Sequence, residues 1–176
     1  IGADVRCTLE PNVTTYVSIV GGTRHNDYAL HSADLTIDGG KWYHVYGAST
    51  AAADFPDMTV SLTVNGGEFA GRVCAMGAGN QSGSGRLVIN GGVFYGGVYG
   101  VAALATEVFN GSIDIVLNGG VFYGKIRVAT RCETTVNGAY KVTVNGGDFS
   151  HLTDIVGGEA FGGKLASAFT AGEGVD

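Results

Sequence analysis

Three cations and two tyrosines recur at matched positions of this chain. They fall in the short stretches "HVY" at 44–46, "RVC" at 72–74, "GVY" at 97–99 and "KIR" at 125–127. Successive side chains of a strand point to opposite faces, so burying Val45, Val73, Val98 and Ile126 turns their neighbours outward. The outward set is then His44, Tyr46, Arg72, Cys74, Gly97, Tyr99, Lys125 and Arg127. Such a face suits a glycan, because phenol rings lie against sugar planes and guanidinium forks hold carboxylate or sulfate through paired hydrogen bonds. The same residue types are also ordinary choices for a solvated strand face.

Cleaving a glycan requires more than holding it. Hydrolases divide the acid and base roles between two carboxylates, and no outward carboxylate pair accompanies these cations. Asp154 lies at the far end of the pattern, with Asp114 and Glu133 in or near connections. Arg127 with Lys125 offers the proton-abstracting base of a lyase, but without a calcium-binding set of acids. The four histidines, His25, His31, His44 and His151, lack metal-ligand spacing. No phosphate loop, nucleophile elbow or zinc pattern occurs. The expectation is a site with neither metal nor cofactor.

Composition narrows the classes further. The chain has 176 residues, 31 of them glycine and 2 proline, with a formal charge of −6. That length fits one domain, and 45% hydrophobic residues give it material to bury. The negative charge and the lack of a basic run argue against a nucleic-acid binder. No apolar run approaches the 18 residues or so of a membrane-spanning helix, so membrane insertion is not expected. Cys7, Cys74 and Cys132 form no C-x-x-C pair, and their odd number leaves one thiol unpaired in a monomer. The sequons at Asn12, Asn80 and Asn110 are too short a pattern to decide glycosylation.

What positions the outward residues is a repeat. "LTIDGGKWYHVYG" from Leu35 returns as "LTVNGGEFAGRVCAMG" from Leu62, "LVINGGVFYGGVYG" from Leu87, "IVLNGGVFYGKIRVAT" from Ile115 and "VTVNGGDFSHLTDIVGG" from Val142. The corner residues Asp38, Asn65, Asn90, Asn118 and Asn145 are spaced by 25 to 28 residues. Before each corner two aliphatics alternate with outward residues, the period of a strand. Four residues after it stands an aromatic: Trp42, Phe69, Phe94, Phe122 or Phe149. A weaker "VSIVGG" at 17–22 is expected to form a first, capping rung. A chain that returns to the same register after so many residues winds a coil, and stacked coils bury a continuous core. Asn and Gly tolerate the sharp corner, and stacking sets the Asn side chains about 4.8 Å apart. Amide-to-amide hydrogen bonds then run along the corner, starting less regularly at Asp38.

With these residues in view, the chain resembles right-handed parallel β-helix proteins, the pectate-lyase-like enzymes and bacterial surface β-helices, through its "VNGGxFxG" corner and Asn column. The resemblance spans about Val17 to Gly158. It implies an all-β solenoid of about five to six coils, flanked by an N-terminal cap (1–16) and a C-terminal cap or truncated continuation (159–176) in which "KLASAFTA" suits a short helical lid. It also implies secretion or display at a bacterial surface, as a segment of a larger protein. It does not choose among activities, since this architecture serves lyases, hydrolases, adhesins and inert stalks.

Outward positions beside the corner add a second surface: Val88 and Val116 before it, and Val93, Tyr95, Val121 and Tyr123 after it. A patch of this kind marks a contact with another domain or chain. The column Thr36, Thr63, Val88, Val116, Thr143 is too interrupted for an ice-binding face. The reading that follows is a non-catalytic glycan-binding or adhesive module for an acidic polysaccharide. A polysaccharide lyase or glycoside hydrolase is the alternative, and a spacer without ligand the third.

Overall fold

Alternation of apolar and polar residues, interrupted by glycine corners, produces many short strands. The structure is a computed structural model that describes residues 3–12, 14–22, 30–48, 58–77, 82–102, 108–129, 135–152, 154–156 and 166–171. In chain order the strands are β1 (Ala3–Leu9), β2 (Val17–Val20), β3 (Leu30–Ile37), β4 (Lys41–Tyr46), β5 (Met58–Val64), β6 (Glu68–Phe69), β7 (Val73–Cys74), β8 (Gly83–Ile89) and β9 (Val93–Phe94). They continue as β10 (Val98–Val101), β11 (Val108–Phe109), β12 (Ser112–Leu117), β13 (Val121–Phe122), β14 (Lys125–Ala129), β15 (Thr135–Val136), β16 (Ala139–Val144), β17 (Asp154–Val156) and β18 (Ala166–Ala171).

The strands stack as a parallel β-solenoid. The pre-corner strands form one sheet in the order β1-β3-β5-β8-β12-β16-β18. The post-corner strands form a second, of nine strands, and β11 pairs with β15 in a small third. Register follows the repeat: Leu35, Leu62, Leu87, Ile115 and Val142 are successive partners, as are Ile37, Val64, Ile89, Leu117 and Val144. Both columns are buried, no member being more than 4% exposed.

The aromatic column builds the rest of the core. Phe69, Phe94, Phe122 and Phe149 stack in sequence with centroids 4.7, 4.9 and 5.0 Å apart and planes within 10° of parallel. Coil spacing imposes this geometry, because each coil contributes one ring at the same phase. Trp42 begins the column and donates its indole N–H to the Gly39 carbonyl at 2.7 Å. A third inward row, Ala33, Val60, Gly85, Ile113 and Tyr140, lies two residues above the expected aliphatics. At Gly85 the missing side chain leaves room for Met76, whose Cγ and Sδ occupy the place of a Cβ.

At each corner the positive φ falls on the second glycine: Gly40, Gly67, Gly92, Gly120 and Gly147 all lie between 92° and 132°. That leaves the preceding Asn to act through its side chain. Asn90 donates to Asn65 at 2.8 Å, Asn118 to Asn90 at 2.9 Å and Asn145 to Asn118 at 2.8 Å. Asn65 donates to the Asp38 carboxylate at 2.6 Å. Every donor thus points toward the N-terminal end. Asp38, expected to disturb the ladder, instead ends it as a charged acceptor.

The ends differ from expectation. About four turns close, rather than five to six: β3–β4, β5–β7, β8–β10 and β12–β14. In the last copy the residues directly after the corner make an isolated bridge, Asp148 to Val121, and Asp154–Val156 pair as β17 with β14. "VSIVGG" is not a copy of the corner motif. Its strand β2 pairs with β4 on the post-corner side, Ile19 opposite Val45 and Val20 opposite Tyr46. It has neither the corner Asn nor the aromatic that follows, and the corner below Asp38 is made by Leu9 and Glu10, with the Asp38 N–H donating to the Leu9 carbonyl. Within the expected helical lid, Ala166–Ala171 form strand β18, paired with β16. The described part of the expected N-terminal cap contributes β1, paired in parallel with β3.

Candidate functional site

The cation and tyrosine residues lie on the outer side of the second sheet. Val45, Val73, Val98 and Ile126 are direct ladder partners, which brings Tyr46, Cys74, Tyr99 and Arg127 into one row across adjacent coils. Arg72 and Lys125 precede the buried aliphatic in their coils and are exposed. Tyr46, Tyr99 and Arg127 are half-buried. The row is close enough for charge to be felt across it. Burial raises the Tyr99 hydroxyl above its usual pKa, as does Cys74, and the cations Arg72 and Arg127 oppose that shift. Tyr99 lies back over Gly97, where its ring and hydroxyl take the space a Cβ would need.

Gly97 is therefore buried, and two further members differ from the outward reading. Cys74 is fully buried, and burial drives its thiol pKa far up, with Arg72 opposing. Alternation places it outward, but the neighbouring coils' Tyr46 and Tyr99 flank it and it lies within an unbroken buried stretch from Val73 to Gly77. A buried, protonated thiol is unreactive. His44 is half-buried, and its Nδ1 accepts the Arg72 backbone N–H at 2.9 Å. The first full coil has three residues from Trp42 to Val45, where the later coils have four, as from Phe69 to Val73. The extra residue breaks the second sheet into β6 and β7 and presents an N–H that the His44 ring satisfies. Accepting through Nδ1 requires the neutral imidazole. Burial first, and the Arg72 charge second, lower the His44 pKa.

The surface patch divides around the corner. Val88 and Val116 pair on the outer face of the first sheet, and Val93 and Val121 pair on the second. Beside the latter, Tyr95 and Tyr123 stack at 5.3 Å, and Tyr123 stacks on His151 at 4.6 Å with planes 7° apart. Tyr16, Val17, Tyr43, Tyr95 and Tyr123 are the exposed large hydrophobics among the described residues. All five belong to the post-corner side. Tyr16 donates to Glu68 Oε2 at 3.1 Å and receives Lys41 over its ring at 5.7 Å, while Lys41 pairs with Glu68 at 3.3 Å. A groove of about 500 Å³ runs alongside, lined by Pro11, Thr14, Lys41, Glu68 and Val93 with the corner glycines.

The outward carboxylates are spread among cations rather than gathered. Asp34 pairs with Arg6, Glu68 with Lys41, and Asp114 with Arg86. The last pair borders a hollow of about 450 Å³ on the first sheet, with Ser84, Ser112 and Lys141. One Asp114 oxygen there is buried without a partner. Glu133 and Cys132 lie outside the described residues, as does His25. Among the described residues no group of three or more His, Cys, Asp or Glu side chains could hold a metal. Cys7 and Cys74 are free thiols.

A second amide column escaped the sequence reading. Asn137 donates to Asn110 at 2.8 Å, at a corner just before β12 and β16. Its signal was the pair "FNGS" and "VNGA", 27 residues apart, each eight residues ahead of a main corner Asn. The tyrosine row was likewise legible as the residue directly after the column aromatic, which is tyrosine at 43, 95 and 123 and Ala70 or Ser150 in the other two copies. Comparison with protein-family models, with curated proteins and with solved structures finds no match.

Proposed function

We propose that this chain is a non-catalytic glycan-binding or adhesive module of a secreted or bacterial cell-surface protein, with acidic polysaccharide as its ligand. The observation that supports it is the clustering of Arg72, Tyr99 and Arg127, with Lys125 on the same strand as Arg127, beside a row of exposed tyrosines on a molecule of net charge −6. On such a molecule a local cationic face selects anionic chains, and the tyrosines add ring contacts that need no charge. The resemblance to pectate-lyase-like and surface β-helices is in keeping with a polysaccharide ligand. The valines and tyrosines at 88, 93, 95, 116, 121 and 123 serve in this reading as the contact for a neighbouring domain or chain.

The test is binding of the purified chain to a panel of neutral and acidic polysaccharides, beside a variant carrying Arg72→Ala, Lys125→Ala and Arg127→Ala. Selective binding to acidic members, weakened by salt and lost in the variant, is the expected result. No binding by the wild type at millimolar sites would sink the proposal and leave a spacer. Release of new chain ends from a bound polysaccharide would move the reading to a lyase or hydrolase.

A further inference from the structure

We propose that Asn110 is a modification site, at which the chain converts its own side-chain amide to a carboxylate with water as the only co-reactant. Asparagine is followed by glycine at six places: Asn65, Asn90, Asn110, Asn118, Asn137 and Asn145. Glycine has no Cβ and turns freely, so the backbone nitrogen after each of these can approach the side-chain carbon. All six asparagines are exposed, so exposure does not rank them. The amide ladders do. Asn65, Asn90, Asn118, Asn137 and Asn145 each donate a side-chain N–H along a ladder, at 2.6 to 2.9 Å. Asn110 stands at the N-terminal end of the short ladder, and its Nδ2 has no acceptor among the described residues. Its Oδ1 still accepts from Asn137 at 2.8 Å. A polarised carbonyl joined to an unheld nitrogen occurs at Asn110 and at none of the other five.

The chemistry uses groups already in place. The deprotonated Gly111 nitrogen attacks Asn110 Cγ, a new N–Cγ bond forms, and negative charge develops on Oδ1, where the Asn137 N–H meets it. The Cγ–Nδ2 bond then breaks, the nitrogen takes protons from water and leaves as ammonia, and a five-membered succinimide remains. Water opens that ring at either carbonyl, giving aspartate or isoaspartate. The net change consumes one amide and one water and yields one carboxylate and one ammonium ion. At the other five asparagines the leaving nitrogen must first give up its ladder bond. Gly111 N–H enters no backbone hydrogen bond among the described residues, whereas Gly146 N–H is held by the Leu117 carbonyl at 3.2 Å. The aspartate product also fits. It sets a carboxylate against the Asn137 donor, the pairing with which Asp38 already ends the long ladder at 2.6 Å. The same change at Asn118 breaks a bond in mid-ladder.

The experiment incubates the full chain in mildly alkaline buffer and follows all six sites by peptide mass mapping, beside the same chain unfolded in urea. In urea the six should convert at similar rates, because each is followed by glycine. In the folded chain Asn110 is expected to convert about tenfold faster than Asn90 and Asn118, the factor that one retained hydrogen bond supplies. Asn137→Leu removes the donor to Oδ1 and should slow Asn110 by about fivefold. Asn110→Asp should unfold at or above the wild-type midpoint, and Asn118→Asp below it. Asn137 converting first would show that the short ladder donates the other way and would overturn Asn110 as the site. Any other asparagine converting first, or all six keeping pace in the folded chain, would overturn the proposal outright. Faster or unchanged conversion in Asn137→Leu would overturn the role of its N–H, and a midpoint lowered as much at 110 as at 118 would overturn the tolerated product.

Discussion

Asn65→Asp and Asn145→Asp make the same chemical change at opposite ends of one amide ladder, and the direction of its hydrogen bonds makes their costs unequal. Asn65 donates to a carboxylate, Asp38, at 2.6 Å. Replacing its amide removes a charge-assisted bond worth about 1.5–3 kcal/mol. It also sets two carboxylates one coil apart, a repulsion of about 1 kcal/mol at the dielectric of water and about 3.5 kcal/mol at an effective value near 20. The new carboxylate remains an acceptor for Asn90 and recovers about 1 kcal/mol through that bond. The balance is a loss of about 2–5 kcal/mol. Asn145 donates to a neutral amide, Asn118, at 2.8 Å. Its replacement forfeits one ordinary bond, about 1 kcal/mol, and meets no carboxylate on the ladder. Urea unfolding midpoints of wild type and both variants at neutral pH read the difference. Repeating them in high salt and near pH 3.5 should shrink it, since salt screens the pair and the introduced carboxyl, once protonated, regains a donor. Equal losses in the two variants, or a gap indifferent to acid and salt, would refute the directional ladder.

Two further outcomes follow from buried groups. His44 has a lowered pKa in the folded chain, from burial and then from Arg72, so the unfolded chain takes up the proton first as pH falls. Its contribution is fully present above the ordinary value near 6.5 and is lost as pH drops through the lowered folded value; unfolding midpoints measured across that window should decline in the wild type and lose this component in His44→Ala. Tyr140 is 2% exposed and its hydroxyl has no hydrogen-bond partner, so Tyr140→Phe should stabilise by about 1 kcal/mol in chemical denaturation. A destabilised Tyr140→Phe would show that the hydroxyl is satisfied after all.

Most of the fold was legible because a solenoid writes its geometry once per coil. The aliphatics at 35, 62, 87, 115 and 142 needed only their spacing to be placed as ladder partners, and the five corners were readable from Asn-Gly-Gly and Asp-Gly-Gly. What failed was local in origin. "VSIVGG" resembles a corner in letters, yet a corner needs an acceptor side chain and a following aromatic, and Glu10 with Leu9 supplied that turn instead. Cys74 was misplaced because alternation describes an isolated strand, and burial depends on what the adjacent coils set on either side. The tilt of His44 toward Gly71 depends on a one-residue difference in coil length, a quantity visible in the sequence but not its consequence. The cation and tyrosine residues were assigned to the right faces; which of them lie within reach of one another follows from register, which only the pairing of adjacent coils fixes.

In a periodic molecule the departures from the repeat carry the information that is specific to this chain. A side chain that recurs at every coil is explained by stacking, as Phe94 is by its neighbours Phe69 and Phe122. A side chain that breaks the column must be explained singly. Asp38 breaks the amide ladder and ends it with a charge. Gly85 breaks the inward row and is filled by Met76, nine residues earlier in the chain. His44 stands where a later coil has an additional residue and takes the backbone N–H that the addition exposes. Each of these interruptions is compensated by a group within the chain. Ala70 interrupts the tyrosine row on the surface, and beside it the His44 ring leans over Gly71 and packs against Tyr43 at 4.3 Å.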